Sequence, residues 1–177
     1  MRKINRNKGI VFWITGLAGS GKTTIAKKLK NKITKKYGPT LIISGDDLRK
    51  IFKLKGFSEE SRFHIGMKYS NFVKKISDQN INIIIAVVAM NNSIRKWNKK
   101  NIKNYYEIFV KTNLKILKKK NKKNLFKTKS NVIGVDIKPE YPKKPDCIIK
   151  NDFRLPIKKL VEKIFLKIQK NLPEKSI

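Results

Sequence analysis

The sequence is poor in several residue types, and each shortage narrows what the chain can be. There is one cysteine, Cys147, so no disulfide can form within the chain, and the expected compartment is the cytoplasm. No apolar run approaches the roughly 20 residues of a membrane span, so no membrane role is expected. The opening MRKINRNKGIVFWITGLAG has the basic start and apolar stretch of a signal peptide. Its apolar run is short, however, and a glycine-rich loop begins where cleavage would fall, so it reads as a first strand. Acidic residues number only 12 against 44 basic ones, leaving a net charge of +32. That excess invites a nucleic-acid reading. Only six of the basic residues are arginine, and asparagine and isoleucine are abundant too, as an AT-rich coding sequence would produce. The lysines run through the whole chain without a patch or an aromatic-interleaved motif. No specific nucleic-acid partner is expected, only a general, salt-sensitive affinity for polyanions.

A length of 177 residues suits one domain, 1–177. Ile10 to Thr15 (IVFWIT) reads as a buried strand ending at glycine. Thr24 to Tyr37 places Ile25, Leu29 and Ile33 at helical spacing, and Gly38-Pro39 stops it. Thr40 to Ser44 is a second strand, followed by a helix-like stretch after Gly45-Asp46-Asp47. Ser58 is set to cap a helix running to about Gln79. Ile81 to Val88, Tyr105 to Thr112 and Asp146 to Ile149 read as three more strands. A closing helix over about 156–172 puts Ile157, Leu160, Val161, Ile164, Phe165 and Ile168 on one face. Strands alternating with helices predict an α/β protein with a five-stranded parallel sheet and helices on both faces, ligands lying beyond the carboxyl ends of the strands.

The most informative stretch lies between the first strand and the first helix. Gly16-Leu17-Ala18-Gly19-Ser20-Gly21-Lys22-Thr23-Thr24 contains Gly-x-x-x-x-Gly-Lys-Thr, the phosphate loop of P-loop nucleoside triphosphate hydrolase folds. Glycines let successive backbone N–H groups turn toward phosphate oxygens, and the helix that follows adds its positive end. Lys22 is expected to reach the β- and γ-phosphates of ATP, and Thr23 to offer its hydroxyl to Mg²⁺.

Other phosphate-loop classes fit less well. The Asp-x-x-Gly and Asn-Lys-x-Asp elements of GTPases do not occur, and the most apolar strand ends in Ala89-Met90-Asn91, without the acid of an oligomeric ATPase. Asp46 and Asp47, at the end of the second strand, are the best-placed carboxylates. One can orient an acceptor hydroxyl and take its proton, while either can instead cap the next helix. This pattern is that of a small-molecule kinase.

With these residues in view, the chain resembles the adenylylsulfate kinase (APS kinase) family. The resemblance is carried by GIVFWITGLAGSGKTTIAKKL, SGDDLRK and GFSEESR, and resumes at NYYEIFVKTNLKILKKKNKKNLFKTKSNVIGVDI. It implies transfer from MgATP to a ribose hydroxyl of a small-molecule nucleotide conjugate, adenylyl sulfate by default. It implies Asp46 as the catalytic acid, Arg49 and Arg62 as acceptor contacts, and Phe57 as a stacking wall. A lid is implied over about 113–130, with Lys120 and Lys127 as its charged side chains and Asn131 to Asp136 as a nucleotide-facing loop behind it.

The departures fall on the acceptor side. Ser44 stands where the family has the first aspartate of Asp-Gly-Asp, and Ile65 where it has an acceptor-binding asparagine. The family's Ile-Ser-Pro-Tyr-Arg is Val88-Ala89-Met90-Asn91-Asn92 here, so no phosphoserine can form, and Asn91 and Asn92 are the expected acceptor contacts. An asparagine pair is a poor substitute for arginine against a sulfate. AMNNSIRKWNKKNIKNYYEIFV with NVIGVDIKPEYPKKPDCIIKND resembles divergent members tied to surface-polysaccharide synthesis, some acting on cytidine diphosphoramidate. Two readings from other classes stay open: a polyanion-binding protein with a vestigial nucleotide site, and a regulatory module without transfer. The residues fix no oligomeric state, and a homodimer stays open. His64 is expected on the helix after Arg62, Phe12 and Trp13 in the core, Trp97 packed under a helix, and Cys147 inert.

Overall fold

Val11–Thr15 (β1) has no polar side chain before its last residue and is buried along its whole length, which only the middle of a sheet allows. The computed structural model describes residues 4–120 and 131–173. β1 lies between β3 (Asn82–Val87) and β4 (Tyr105–Lys111), with β2 (Thr40–Ser44) and β5 (Cys147–Lys150) at the edges, giving the order β2-β3-β1-β4-β5. Every pairing is parallel. The helices among the described residues are α1 (Lys22–Tyr37), α2 (Gly45–Ile51), α3 (Glu59–Asp78), α4 (Asn92–Asn101), α5 (Leu114–Lys120) and α6 (Ile157–Asn171).

Alternation along β1 divides the core between the two faces of the sheet. Phe12 and Ile14 meet Ile25, Leu29 and Ile33 of α1 and Leu160, Ile164 and Ile168 of α6. Val11 and Trp13 face the other way, onto Leu48 of α2, Tyr69 and Val73 of α3 and Ile94 of α4. The expected strands and long helices are present, with ends shifted by one or two residues. Ser58 caps α3 as expected, its side chain accepting from the Ser61 N–H. Two details differ from the sequence reading. α1 starts at Lys22 rather than Thr24, because Gly21 occupies its cap position. α4 was not anticipated, since its segment NSIRKWNKKN is strongly polar. Of the expected lid, only the part through Lys120 falls within the described residues.

The amino ends of β1 and β3 are tied to the α1–β2 turn by a buried side chain. Asn82 accepts from the Ile10 N–H at 2.9 Å and donates to the Tyr37 carbonyl at 2.7 Å and the Gly38 carbonyl at 3.3 Å. It thus joins β1, β3 and the α1–β2 turn at a site closed to water. Asn82→Ala strips partners from a buried N–H and a buried C=O, and should lower stability by about 2–3 kcal/mol. Urea denaturation checks this: the midpoint should fall with an unchanged slope, and a midpoint equal to wild type would refute the assignment.

Candidate functional site

The strand register brings the carboxyl ends of β1, β2 and β3 level, with Ile14 opposite Ala86 and Ala86 opposite Ser44. The turn after β1 and the turn after β2 are therefore two strand positions apart, about 10 Å. The first carries the glycine-rich loop and the second carries Asp46.

Backbone geometry shapes the loop. Gly21 has φ of 91°, in the left-handed region that other residues avoid. A Cβ there would come within 2.9 Å of Asn151 Nδ2, and one at Gly16 would lie 2.6 Å from the Val110 carbonyl. The loop closes on itself through the Ser20 N–H donating to the Leu17 carbonyl at 3.1 Å. Ser20 is fully buried, and Ala18 and Gly19 form the outward crest. Lys22 is buried too, its Nζ donating to the Leu17 carbonyl at 2.7 Å and lying 3.4 Å from Ser20 Oγ. Thr23 and Thr24 are exposed in the first turn of α1, which holds no acidic residue to offset its positive end. Loop amides, a buried ammonium and an exposed threonine hydroxyl fit a triphosphate with its Mg²⁺.

Sequence reasoning missed one part of this loop. Asn151, just past β5 and buried, donates from Nδ2 to the Ser20 carbonyl at 2.9 Å, while its own N–H donates to the Lys111 carbonyl. It ties the loop to the far side of the sheet. Nothing marks it in the sequence, where asparagine is common.

The two aspartates after β2 have different surroundings. Ser44, rather than either aspartate, is the cap of α2, and it forms a reciprocal capping box with Asp47. Asp47 Oδ2 accepts from the Ser44 N–H at 2.9 Å and from Ser44 Oγ at 2.7 Å. These bonds hold the Asp47 carboxyl below the usual carboxylate range. Asp46 is exposed at the adjoining position. The turn beneath it is pinned by Tyr69 of α3, whose hydroxyl donates to the Gly45 carbonyl at 3.0 Å.

Arg49, Phe57 and Arg62 come together. The Arg49 guanidinium lies 4.4 Å from the Phe57 ring centre and that of Arg62 5.4 Å, over a ring that is 46% exposed. Arg49 donates to the Leu54 and Gly56 carbonyls, and Arg62 to the carbonyls of Phe57 and Asn131 at 2.8 Å each. Arg62 therefore links α3 to the turn at Asn131–Asp136. That turn is closed by the Val132 N–H donating to Asp136, and it packs on the phosphate loop where Gly134 faces Leu17. Leu17, Met90, Phe109, Leu117 and Ile133 form a small apolar cluster joining these loops.

Asn91 and Asn92 are used within the chain. Asn91 Oδ1 caps α4 by accepting from the Ile94 N–H at 3.1 Å. The Asn92 N–H donates to the Glu140 carboxylate, and Asn92 Oδ1 accepts from Arg95. Lys120, at the end of α5, lies 4.5 Å from the Phe153 ring centre. Lys127 lies outside the described residues. His64 is exposed on α3, 3.8 Å from Glu60. Trp97 lies half-buried on α4 against the core, and burial pushes the Cys147 thiol up to about 11. Among the described residues, no helix is long and apolar enough to cross a membrane.

The phosphate loop, the level strand ends and the carboxylate beyond β2 define a P-loop kinase. The adenylylsulphate kinase family model matches residues 8–150. A cytidine diphosphoramidate kinase of Campylobacter jejuni is 35% identical, over 92% of this chain and 98% of that protein. A probable adenylyl-sulfate kinase of Archaeoglobus fulgidus is 28% identical, over 80% of this chain and 96% of its own. In fold, the chain is similar to the Mycobacterium tuberculosis APS kinase CysC, solved with AMPPNP and APS, at a TM-score of 0.82 and 21% identity, covering 92% of this chain and 98% of that one. The Aquifex aeolicus shikimate kinase shares the fold at a TM-score of 0.58 and 15% identity, covering 91% of this chain and 97% of that one. The chain belongs to the adenylylsulphate kinase family and is an ATP-dependent phosphotransferase.

The capping box gives a pH-dependent test. A carboxyl whose pKa is lower folded than unfolded adds stability above its unfolded pKa and loses it as pH falls through the folded one. Asp47→Ala should thus cost about 1 kcal/mol at neutral pH. The gap to wild type should close as the solution is acidified below the ordinary carboxylate range. Thermal melts of both proteins from neutral to acid pH check it, and a gap independent of pH would contradict the role given to Asp47.

Proposed function

We propose that the chain transfers the γ-phosphate of ATP to a ribose hydroxyl of a nucleotide conjugate, with cytidine diphosphoramidate the first acceptor to test. The observation that carries this reading is the end of β3. Where a sulfate-binding arginine is implied by the family resemblance, the chain has Asn92, whose N–H donates to the Glu140 carboxylate. A carboxylate at that point accepts hydrogen bonds and donates none, so it suits a terminal group that carries an N–H donor, as a phosphoramidate does and a sulfate does not. The Campylobacter jejuni relative supports the same acceptor. Adenylyl sulfate stays the second reading, favoured by the family model and by the adenylyl-sulfate kinases at 28–29% identity.

In this reading the amides of Gly16 to Thr23 bind the donor phosphates, and Lys22 turns from the Leu17 carbonyl toward the β- and γ-oxygens. Thr23 would hold Mg²⁺, which neutralises charge on those phosphates when bound. Asp46 orients the acceptor hydroxyl and takes its proton as the bond to phosphorus forms. Phe57 stacks on the acceptor base between Arg49 and Arg62, which turn to its phosphates. Lys120 adds positive charge toward the donor phosphates, while Lys127, the other lysine implied by the resemblance, lies outside the described residues.

A coupled ADP-release assay with adenylyl sulfate and cytidine diphosphoramidate tests the reading. Turnover should be highest on the diphosphoramidate. Turnover on neither would overturn the nucleotide-conjugate assignment. Lys22→Ala should abolish transfer. Asp46→Asn should leave ATP affinity intact and lower kcat by about 100-fold or more. An Asp46→Asn protein with wild-type kcat would remove Asp46 from the chemistry.

A further inference from the structure

Beneath α4 lies a buried polar cluster that phosphate binding does not account for. Arg95 is 4% exposed and Glu107, in the middle of apolar β4, is 1% exposed. Their side chains form an ion pair, with Arg95 Nε 3.5 Å from Glu107 Oε1, and Lys99 Nζ lies at the same distance from Oε2. Asp146 steadies the strand from the other side by accepting from the Glu107 N–H at 2.7 Å. Burying two charges is costly, and their attraction offsets that cost only where further hydrogen bonds satisfy the remaining donors.

Those donors point at the acceptor side. Arg95 Nη1 donates to the Ala89 carbonyl at 3.1 Å, and Nη2 donates to Asn92 Oδ1 and to the Glu140 carbonyl. The Glu140 N–H returns to the Met90 carbonyl at 3.2 Å. One guanidinium thus fastens the β3–α4 loop, the first residue of α4 and the 138–142 segment at fixed spacing, with Glu107 setting its orientation. Lysine could not replace it, because three oxygen acceptors in divergent directions need a rigid planar fork.

We propose that Arg95, oriented by Glu107, is the positioning residue of the acceptor site: it fixes the gap between the β3–α4 loop and the 138–142 segment, and hence the fit of the acceptor but not of ATP. This rests on the acceptor placement given above.

The test uses Arg95→Lys and the double substitution Arg95→Met with Glu107→Leu, read by steady-state kinetics and thermal melts. Arg95→Lys should raise the acceptor KM by about tenfold or more while the ATP KM stays within about twofold. The double variant removes both buried charges, so it should melt near wild type while its acceptor KM stays raised. Three results would overturn the proposal: an unchanged acceptor KM in Arg95→Lys, a parallel rise of both KM values, or recovery of the acceptor KM together with the melting temperature in the double variant. If wild type turns over neither conjugate, the functional reading fails separately, and hydrogen exchange then decides this one. Arg95→Lys must speed exchange in 88–92 and 138–142 together, with the phosphate loop unchanged. Unchanged exchange in those two segments would refute it.

Discussion

The site depends on the complete burial of β1. A strand covered on both faces and paired on both edges cannot slide, because a one-residue slip would turn Phe12 and Ile14 out of one core and Val11 and Trp13 out of the other. Its carboxyl end is therefore a fixed point. The loop that leaves it is short and has to turn at once into α1, so its shape follows from where β1 stops and α1 starts. Gly16 passes against Val110 of β4, and Gly21 passes against Asn151 beyond β5. A backbone carbonyl against Gly16 and a side-chain amide against Gly21 leave no room for a Cβ at either position, and the loop's amides follow the path that remains. The phosphate grip follows from core packing, with glycine as the permissive element.

The same logic separates the two aspartates beyond β2. A capping box uses the side chain at the third helical position, and Asp47 occupies it. That leaves Asp46, one residue earlier, turned by the helix to a different face. With Ser44 as the cap, a single hydroxyl both ends β2 and starts α2, so the strand end and the Asp46 backbone are rigidly joined. Tyr69 pins the intervening carbonyl from α3, and burial raises its pKa, keeping the hydroxyl a donor. The role proposed for Asp46 needs this kind of support, since a base acts only when its proton acceptor is held within a narrow distance of the attacking oxygen.

Much of this was legible from residue order alone. The strands announced themselves as apolar runs, and the phosphate loop as glycines, lysine and threonine at fixed spacing after one of them. Ser58 was legible because capping is a local interaction. What escaped were contacts between segments far apart in the chain. Asn151 and Asn82 gave no signal, because an asparagine that holds a loop looks like one that faces water. α4 was missed because lysines and asparagines outnumber its apolar positions, although Asn91 before Ile94 has the form of a cap. Glu107 did leave a trace. An acid inside YYEIFVK must find a cation, and Arg95 is among the few planar ones available. Reading that acid as a demand for a partner would have drawn attention to α4.

The large positive charge is consistent with this economy. Among the described residues, the charged side chains that are buried are Lys22, Arg95 and Glu107. Other cations stay in or near solvent, where the Debye length of about 8 Å at physiological salt limits their reach. They raise the local concentration of anionic substrates and speed encounter, and salt should weaken that effect. Apart from Arg49 and Arg62, which carbonyls hold beside Phe57, they cannot tell one anion from another. Discrimination requires charges removed from water and held in fixed geometry, and the fold does this in two places: at Lys22, within the oxygen-lined phosphate loop, and at the Arg95–Glu107 pair, behind the loop proposed to meet the acceptor. The diffuse charge thus affects how fast ligands arrive, and the three buried charges affect which ligands fit.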